Sequence, residues 1–288
     1  MTNALEIIYG QCERTLTALL QPIQFFADPS KRVFWGYLAV SLLIAIFAVA
    51  VRYRGRWVVA LYQQLLSHQI WFHPSSLLDV KLIFVKAVVR VLFFATWLVS
   101  SYGIALGLVK FGIDQFGAAD VTFLADSTIT IMYTMVLFLS ADFSRYFVHR
   151  LCHEIPILWQ FHQVHHSAEV MTPLTLYRSH PVENLISTLR GIVVTGFVTG
   201  VFFYLFGTKA VQAEILGVNA LGLLYNMLGA NFRHSHVWIS YGPVIERFLL
   251  SPAQHQLHHS DAPHHHGANY GSCLAIWDKI GGSLQIAF

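Results

Sequence analysis

Apolar residues in this chain come in long uncharged runs, and the runs divide the sequence before any other feature does. Residues 33–51 (VFWGYLAVSLLIAIFAVAV) hold nineteen positions without a charge. That is close to the ~20 that cross a hydrocarbon core, and predicts a first membrane helix. Residues 91–109 predict a second, with Arg90 and Lys110 placed to reach the interfaces. A third covers about 122–148, with Asp126 near one end and Asp142 and Arg145 near the other. Residues 191–208 and 211–230 are uncharged apart from Glu214 and predict a fourth and a fifth, turning at Lys209. Stretches 1–30 and 57–80 mix apolar and polar positions and predict segments lying along the membrane surface; 1–30 lacks the features of a signal peptide. The expected fold is all-α, a polytopic membrane helix bundle of four to five spans in a single domain over 1–288.

Composition strengthens this reading. The chain is 55% hydrophobic and 11% charged, far below the ~25% charged content of soluble domains. Basic residues also give an orientation, because cytoplasmic flanks are enriched in Lys and Arg. If all five segments cross, Arg52, Arg54, Arg56, Lys81, Lys86, Arg90, Arg145, Arg150, Arg178, Arg190 and Arg233 fall on one side. Lys31, Arg32, Lys110 and Lys209 fall on the other, which places the first side in the cytoplasm and the amino terminus outside. A net charge of +3, spread by topology, excludes a nucleic-acid groove. Three cysteines, Cys12, Cys152 and Cys273, are too few for a four-cysteine cluster or a disulfide framework, and Cys152 reads as a small packing residue.

The chemistry lies in histidine. Fourteen of the sixteen histidines follow position 148, in HRLCH at 149–153, HQVHH at 162–166 and HQLHH at 255–259. On a helix, i, i+3 and i+4 share a face, so His162, His165 and His166 can meet at one point, as can His255, His258 and His259, while His149 and His153 pair at i, i+4. A lone buried histidine is ordinarily a satisfied core residue, and His68 and His73 are read that way. Imidazoles packed this densely without an ion would repel when charged. Two triplets, a pair and further histidines offer more donors than the six of one octahedral ion, so two metal ions are implied. Imidazole suits zinc, copper, iron and nickel alike, but a di-metal centre beside a bilayer fits activation of dioxygen against a lipid C–H bond. Hydrolysis fits less well, because His153-Glu154 is followed by Ile157 where a metalloprotease helix needs its second histidine. Pro156 ends the first histidine helix and predicts a bend before His162.

These motifs resemble the fatty acid hydroxylase and sterol desaturase superfamily of membrane di-iron enzymes. Asp142, Tyr146, His149, Arg150, His153, His162, His165, His166, His255, His258 and His259 match its pattern in order and spacing, over a catalytic region at about 138–284 that follows an N-terminal part at 1–137. YRSHPVEN at 177–184 is similar to the family's H-P-x-E element and points to His180 as a further ligand. NFRHSH at 231–236 points to His234 in preference to His236, while NYG at 269–271 and WDKIGGSL at 277–284 are similar to the closing elements, with Ser283 in place of Thr. The resemblance implies ten metal ligands: His149, His153, His162, His165, His166, His180, His234, His255, His258 and His259. It also implies two iron ions, which zinc can replace in purified protein, and O2-dependent hydroxylation or desaturation of a fatty acyl, sterol-like or polar lipid.

Asp142 and Tyr146 share one helical stripe with His149 and His153, so Asp142 is expected either to orient a ligand imidazole or to pair with Arg145. His264, His265 and His266 read as surface residues of a loop. With no G-x-G-x-x-G stretch and too few cysteines for an iron–sulfur cluster, electrons are expected from a separate protein, a ferredoxin or b-type cytochrome with its reductase, docking near Arg150, Arg178, Arg190, Arg233 and Arg247. The expected location is a bacterial inner membrane or the endoplasmic reticulum, with the metal site towards the cytosol. A non-enzymatic alternative, a membrane metal or haem carrier, fits less well, because haem needs opposed single histidines within spans and the triplets lie outside the uncharged runs.

Overall fold

A computed structural model describes residues 13, 16–17, 19–89, 100–119, 121, 123–216 and 218–287. The first uncharged run becomes α1 (Trp35–Tyr53), which ends where Arg54 takes a left-handed φ of 40°. The turn lets Trp57–Leu61 fold back, so that Ala60 and Leu61 pack against Ala45 and Val49. Short helical turns lead from there, through the stretch expected at the membrane surface, to α2 (Pro74–Val89). Positions 91–99 of the expected second span, like Cys12 and most of 1–18, lie outside the described residues; the span's described part is α3 (Ser101–Phe116), opened by Ser100 Oγ accepting from Gly103 N at 3.0 Å.

Two long helices carry the architecture. α4 (Asp126–Glu154) and α6 (Pro181–Phe206) run antiparallel, with Tyr133 stacked on Phe202 at 4.9 Å and Arg190 Nη1 donating to Ser144 Oγ at 2.8 Å. α6 begins ten residues before the uncharged run at 191–208, because Pro181 opens it with a preset φ and its missing N–H costs nothing in the first turn. α3 lies along α6 in the same direction, where Gly196 and Gly200 face Ser101, Ile104, Ala105 and Leu108. Apolar side chains such as Ile131, Val193 and Phe197 stay exposed on the outer faces. Among the described residues, three helical runs, Trp35–Trp71, Asp126–Glu154 and Pro181–Lys209, are long and apolar enough to cross a membrane.

The run at 211–230 does not form the expected fifth helix. It folds into a two-stranded hairpin, β1 (Glu214–Ile215) with β2 (Val218–Asn219), and then the eight-residue α7 (Ala220–Met227). Asn219 starts this helix late by accepting from Leu221 N at 3.1 Å and Gly222 N at 3.3 Å, and Gly229 at φ 117° follows its end. Absence of charge does not distinguish one long helix from a capped half-helix. Arg32 also departs from the basic-residue pattern. It was expected opposite Arg145 and Arg233, yet it lines the same cavity, because Phe34 and Tyr37 at the start of α1 pack on Leu223 of α7.

Candidate metal centre

Proline also shapes the site. Ile155 is extended before Pro156, as the residue preceding a proline prefers, and α5 (Pro156–His166) turns back so that its histidines face those of α4. Pro252 opens α8 (Pro252–His258), fixed by reciprocal bonds between Ser251 and Gln254.

Nine imidazoles meet in two groups. His149, His153, His162, His166 and His258 form one; His165, His234, His255 and His259 form the other, each with its donor atoms within 4.8 Å of one another. Neither triplet converges on one point as its spacing alone suggested. Positions i+3 and i+4 straddle position i by about 60° and 40° around a helix, so α5 gives His162 and His166 to the first group and His165 to the second. The triplet of α8 does the converse, giving His255 and His259 to the second group and His258 to the first.

Hydrogen bonds assign the tautomers. His149 Nδ1 lies 2.7 Å from Tyr270 O, His165 Nδ1 3.0 Å from Arg178 O and His258 Nδ1 2.8 Å from Ala268 O. A carbonyl only accepts, so each Nδ1 carries the proton and each Nε2 presents a bare lone pair. His162 Nδ1 is held the same way by Glu183 Oε1 at 2.9 Å. These Nε2 atoms nevertheless face one another: His149 lies 3.1 Å from both His162 and His258. In the second group His234 lies 3.1 Å from His255, 3.2 Å from His259 and 3.3 Å from His165. Bare lone pairs at such distances repel unless a cation sits between them. With metal–nitrogen bonds of ~2.1 Å, adjacent ligands of an octahedron stand ~3.0 Å apart and those of a tetrahedron ~3.4 Å, which brackets the observed separations. The donors therefore fit metal ions. His153 Nε2 and His166 Nε2, buried without a hydrogen-bond partner, fit the same role.

Burial keeps the rings neutral, the form a metal requires. Desolvation, then the neighbouring imidazoles, pushes His165 down to about 3 and holds His162, His234, His255, His258 and His259 well below the usual histidine range.

His180, expected as a ligand, lies outside both groups. It caps α6, its Nδ1 accepting from Val182 N at 3.2 Å, with its ring 4.9 Å from that of Phe161, because Pro181 leaves it extended at the helix mouth. His236 is exposed, as are His264 and His266, whereas His234 is buried in the second group. Asp142 contacts neither imidazole nor Arg145. Fully buried, it accepts from Cys273 N, Leu274 N and Trp277 Nε1 at 2.9–3.0 Å and so ties the closing loop to α4. Tyr146 accepts from Arg150, which also reaches Gly281 O; a Cβ at Gly281 would lie 1.9 Å from the Tyr146 hydroxyl. Asp278 then holds Tyr270 N and Gly271 N, each at 2.7 Å, and thereby sets the carbonyl that receives His149.

Sequence reasoning missed the groups that orient the rings. Glu183 was visible only as a letter of the H-P-x-E element. The buried pair of Arg178 with Asp79, at 2.6 Å, positions the carbonyl that receives His165, and its members stand 99 residues apart.

The histidine layer divides two cavities. An outer one of about 480 Å³ is lined by Trp159, Gln163 and Asp261 with His153, His166, His258 and His259. An inner one of about 380 Å³ reaches His149, His162, His165, His234 and His255 from the other side.

No solved structure matches the chain. Among curated proteins, the human alkylglycerol monooxygenase is 32% identical over 148 residues, 51% of this chain and 29% of that protein. An ornithine lipid hydroxylase of Rhizobium tropici is 30% identical over 145 residues, 50% of this chain and 39% of that protein. A Delta(7)-sterol 5(6)-desaturase of Aspergillus fumigatus is 28% identical over 144 residues, 50% of this chain and 36% of that protein. The chain thus spans well under half the length of these relatives. A profile of the fatty acid hydroxylase family matches residues 134–283, a segment that contains every imidazole of both groups. With its two-group histidine centre inside the matched segment, the chain belongs to the fatty acid hydroxylase family, among the lipid hydroxylases and sterol desaturases.

Proposed function

We propose that this protein is a membrane di-iron oxygenase that hydroxylates an unactivated C–H bond of a lipid. One observation carries the reading: two adjacent sets of bare, inward-facing Nε2 atoms at metal-ligand spacing, opening on a cavity next to apolar helices. Two iron ions held there would supply the reductive activation of O2 that such a bond requires, and zinc would compete for the same imidazoles in purified protein.

The chain's own residues hold and orient this centre. Tyr270, Ala268 and Arg178 carbonyls and the Glu183 carboxylate fix the four rings that they touch, so the donor geometry is set before any ligand arrives. The inner cavity takes the lipid from the side of α4 and α6, and the outer one faces a separate electron-transfer protein, a ferredoxin or b-type cytochrome with its reductase. The whole chain is read as one membrane domain with its catalytic region at 138–284. The many Arg and Lys residues around the inner cavity favour a centre on the cytoplasmic side. A cysteine placed at exposed Asp261 in a Cys12→Ser background, labelled by an impermeant thiol reagent in intact cells rather than only after permeabilisation, would reverse that orientation.

The test is turnover in lipid with 18-oxygen gas and an added donor system, with metal counted in the same sample. Two irons per chain and a lipid that has gained one labelled oxygen support the reading. A product that has only lost a pair of hydrogens would make it a desaturase, the activity named for the Aspergillus relative. One metal or none in active protein would overturn the two-ion centre, and product without added donor would overturn the external electron source.

A further inference from the structure

We propose that the inner cavity binds an anionic group of the substrate lipid, a phosphate or carboxylate, so that oxidation falls within a few bonds of that group. The proposal rests on the oxygenase reading above for its metal site, and on charge for the rest. Arg32, Lys86, Arg145, Arg190 and Arg233 all line the cavity, five cations against one carboxylate, Glu183, whose Oε1 is held by His162 Nδ1 while its Oε2 has no hydrogen-bond partner. Among the described residues none of the five cations forms an ion pair. Their hydrogen bonds go to neutral groups: Lys86 to Tyr177 O and Ser179 Oγ, Arg190 to Ser144 Oγ, Arg233 to Ser272 O.

Two of the guanidinium groups are left incomplete. Arg233 is only 4% exposed and its Nε has no partner; Arg32 Nη1 is likewise buried without one. Both guanidinium groups lie 5.6 Å from the ring of Tyr225, one aromatic side chain serving two like charges. Burial, then the charge of Arg233, pushes Arg32 down to about 9. Buried unpaired donors and clustered like charges are both unfavourable, and one anion relieves both.

Placement ties this anion site to the reaction. Arg145 precedes His149 by one helical turn on α4, and Arg233 directly precedes His234. Arg32 and Arg145 also line a further cavity of about 310 Å³ that continues along α4 past Leu137, Phe138 and Ala141 to Gly222 of α7. The carboxylate on that wall, Asp142, is occupied by the closing loop. An apolar chain lying along this second cavity would deliver its charged end to the arginines and hold the adjoining carbons beside the histidines.

Metal-loaded full-length protein in neutral detergent is titrated calorimetrically with dodecyl phosphate, with neutral monododecyl glycerol ether and with inorganic phosphate. Dodecyl phosphate should bind at least tenfold more tightly than either comparator. Arg145→Gln and Arg190→Gln should each remove that preference about tenfold while leaving metal content and the affinity for the neutral ether unchanged; Arg145 is exposed, so its variant keeps the fold. Equal affinity for dodecyl phosphate and the neutral ether, or indifference to both substitutions, would overturn the proposal. Inorganic phosphate binding as tightly as dodecyl phosphate would overturn the lipid assignment in favour of a free anion. Because binding is read without turnover, a failure here is distinct from a failure of the oxygenase reading, which the oxygen-labelling experiment judges alone.

Discussion

Glu183 reaches His162 from another helix, and its effect passes through the ring. A carboxylate at Nδ1 fixes the tautomer, aims Nε2 inward and makes that nitrogen a stronger donor. Glu183→Gln keeps an accepting oxygen but loses the charge, and Glu183→Ala loses both. Competition with a chelator should therefore show metal retention falling in that order, by ~10- to 100-fold for alanine, with helix content unchanged. Retention within twofold of the parent for both variants would remove Glu183 from the site. At this scale spacing named eight of the nine clustered imidazoles, the family resemblance supplied His234, and little else was legible. Histidines three and four apart declare themselves in one segment, whereas Glu183 stands 21 residues from His162 and Asp79 stands 99 from Arg178. Asp142 illustrates the same limit: its stripe on α4 was readable, but its three donors come from the loop and helix of the closing segment, 131 to 135 residues later.

Helix pairing follows from residue size. Gly196 and Gly200 form a G-x-x-x-G step on α6 that lets α3 approach; a Cβ at Gly200 would lie 3.0 Å from Ala105 Cα and 2.8 Å from Leu108 Cβ. Gly200→Leu should destabilise the protein by about 1–3 kcal/mol, the usual cost of overpacking. Gly191→Leu, where a Cβ meets nothing within 4 Å, should have little effect. Thermal unfolding in one detergent compares them, and equal midpoints for the two variants would show that this contact does not hold α3. The boundary at Pro156 was legible, because proline sets its own φ and that of its neighbour, whereas the helix starts at Pro181 and Pro252 were not read, since the uncharged run alone placed the fourth span at 191–208. The hairpin before α7 was not, since hydropathy records the absence of charge and is silent on Asn219 as a cap.

Taken over the whole chain, the nine clustered imidazoles, five of them buried, make stability depend on pH. His165 has its folded value pushed to about 3 against an ordinary 6.5, so between those limits the unfolded chain binds a proton that the native chain refuses. Unfolding free energy must then fall as pH drops below about 6.5, and the other depressed histidines add to the slope. Chelator-treated protein should show denaturation midpoints that are level from pH 8 to 7 and decline steadily towards pH 5; a flat or rising profile would contradict the buried neutral rings. The division of both triplets between the two groups adds a different property. Each group takes imidazoles from α5 and from α8, so an ion in either one would clamp both helices and hold the preset donors of the other in place. Loading should behave like a zip fastener whose teeth come alternately from two tapes: a half-engaged chain is the scarce species, and metal enters or leaves as a pair.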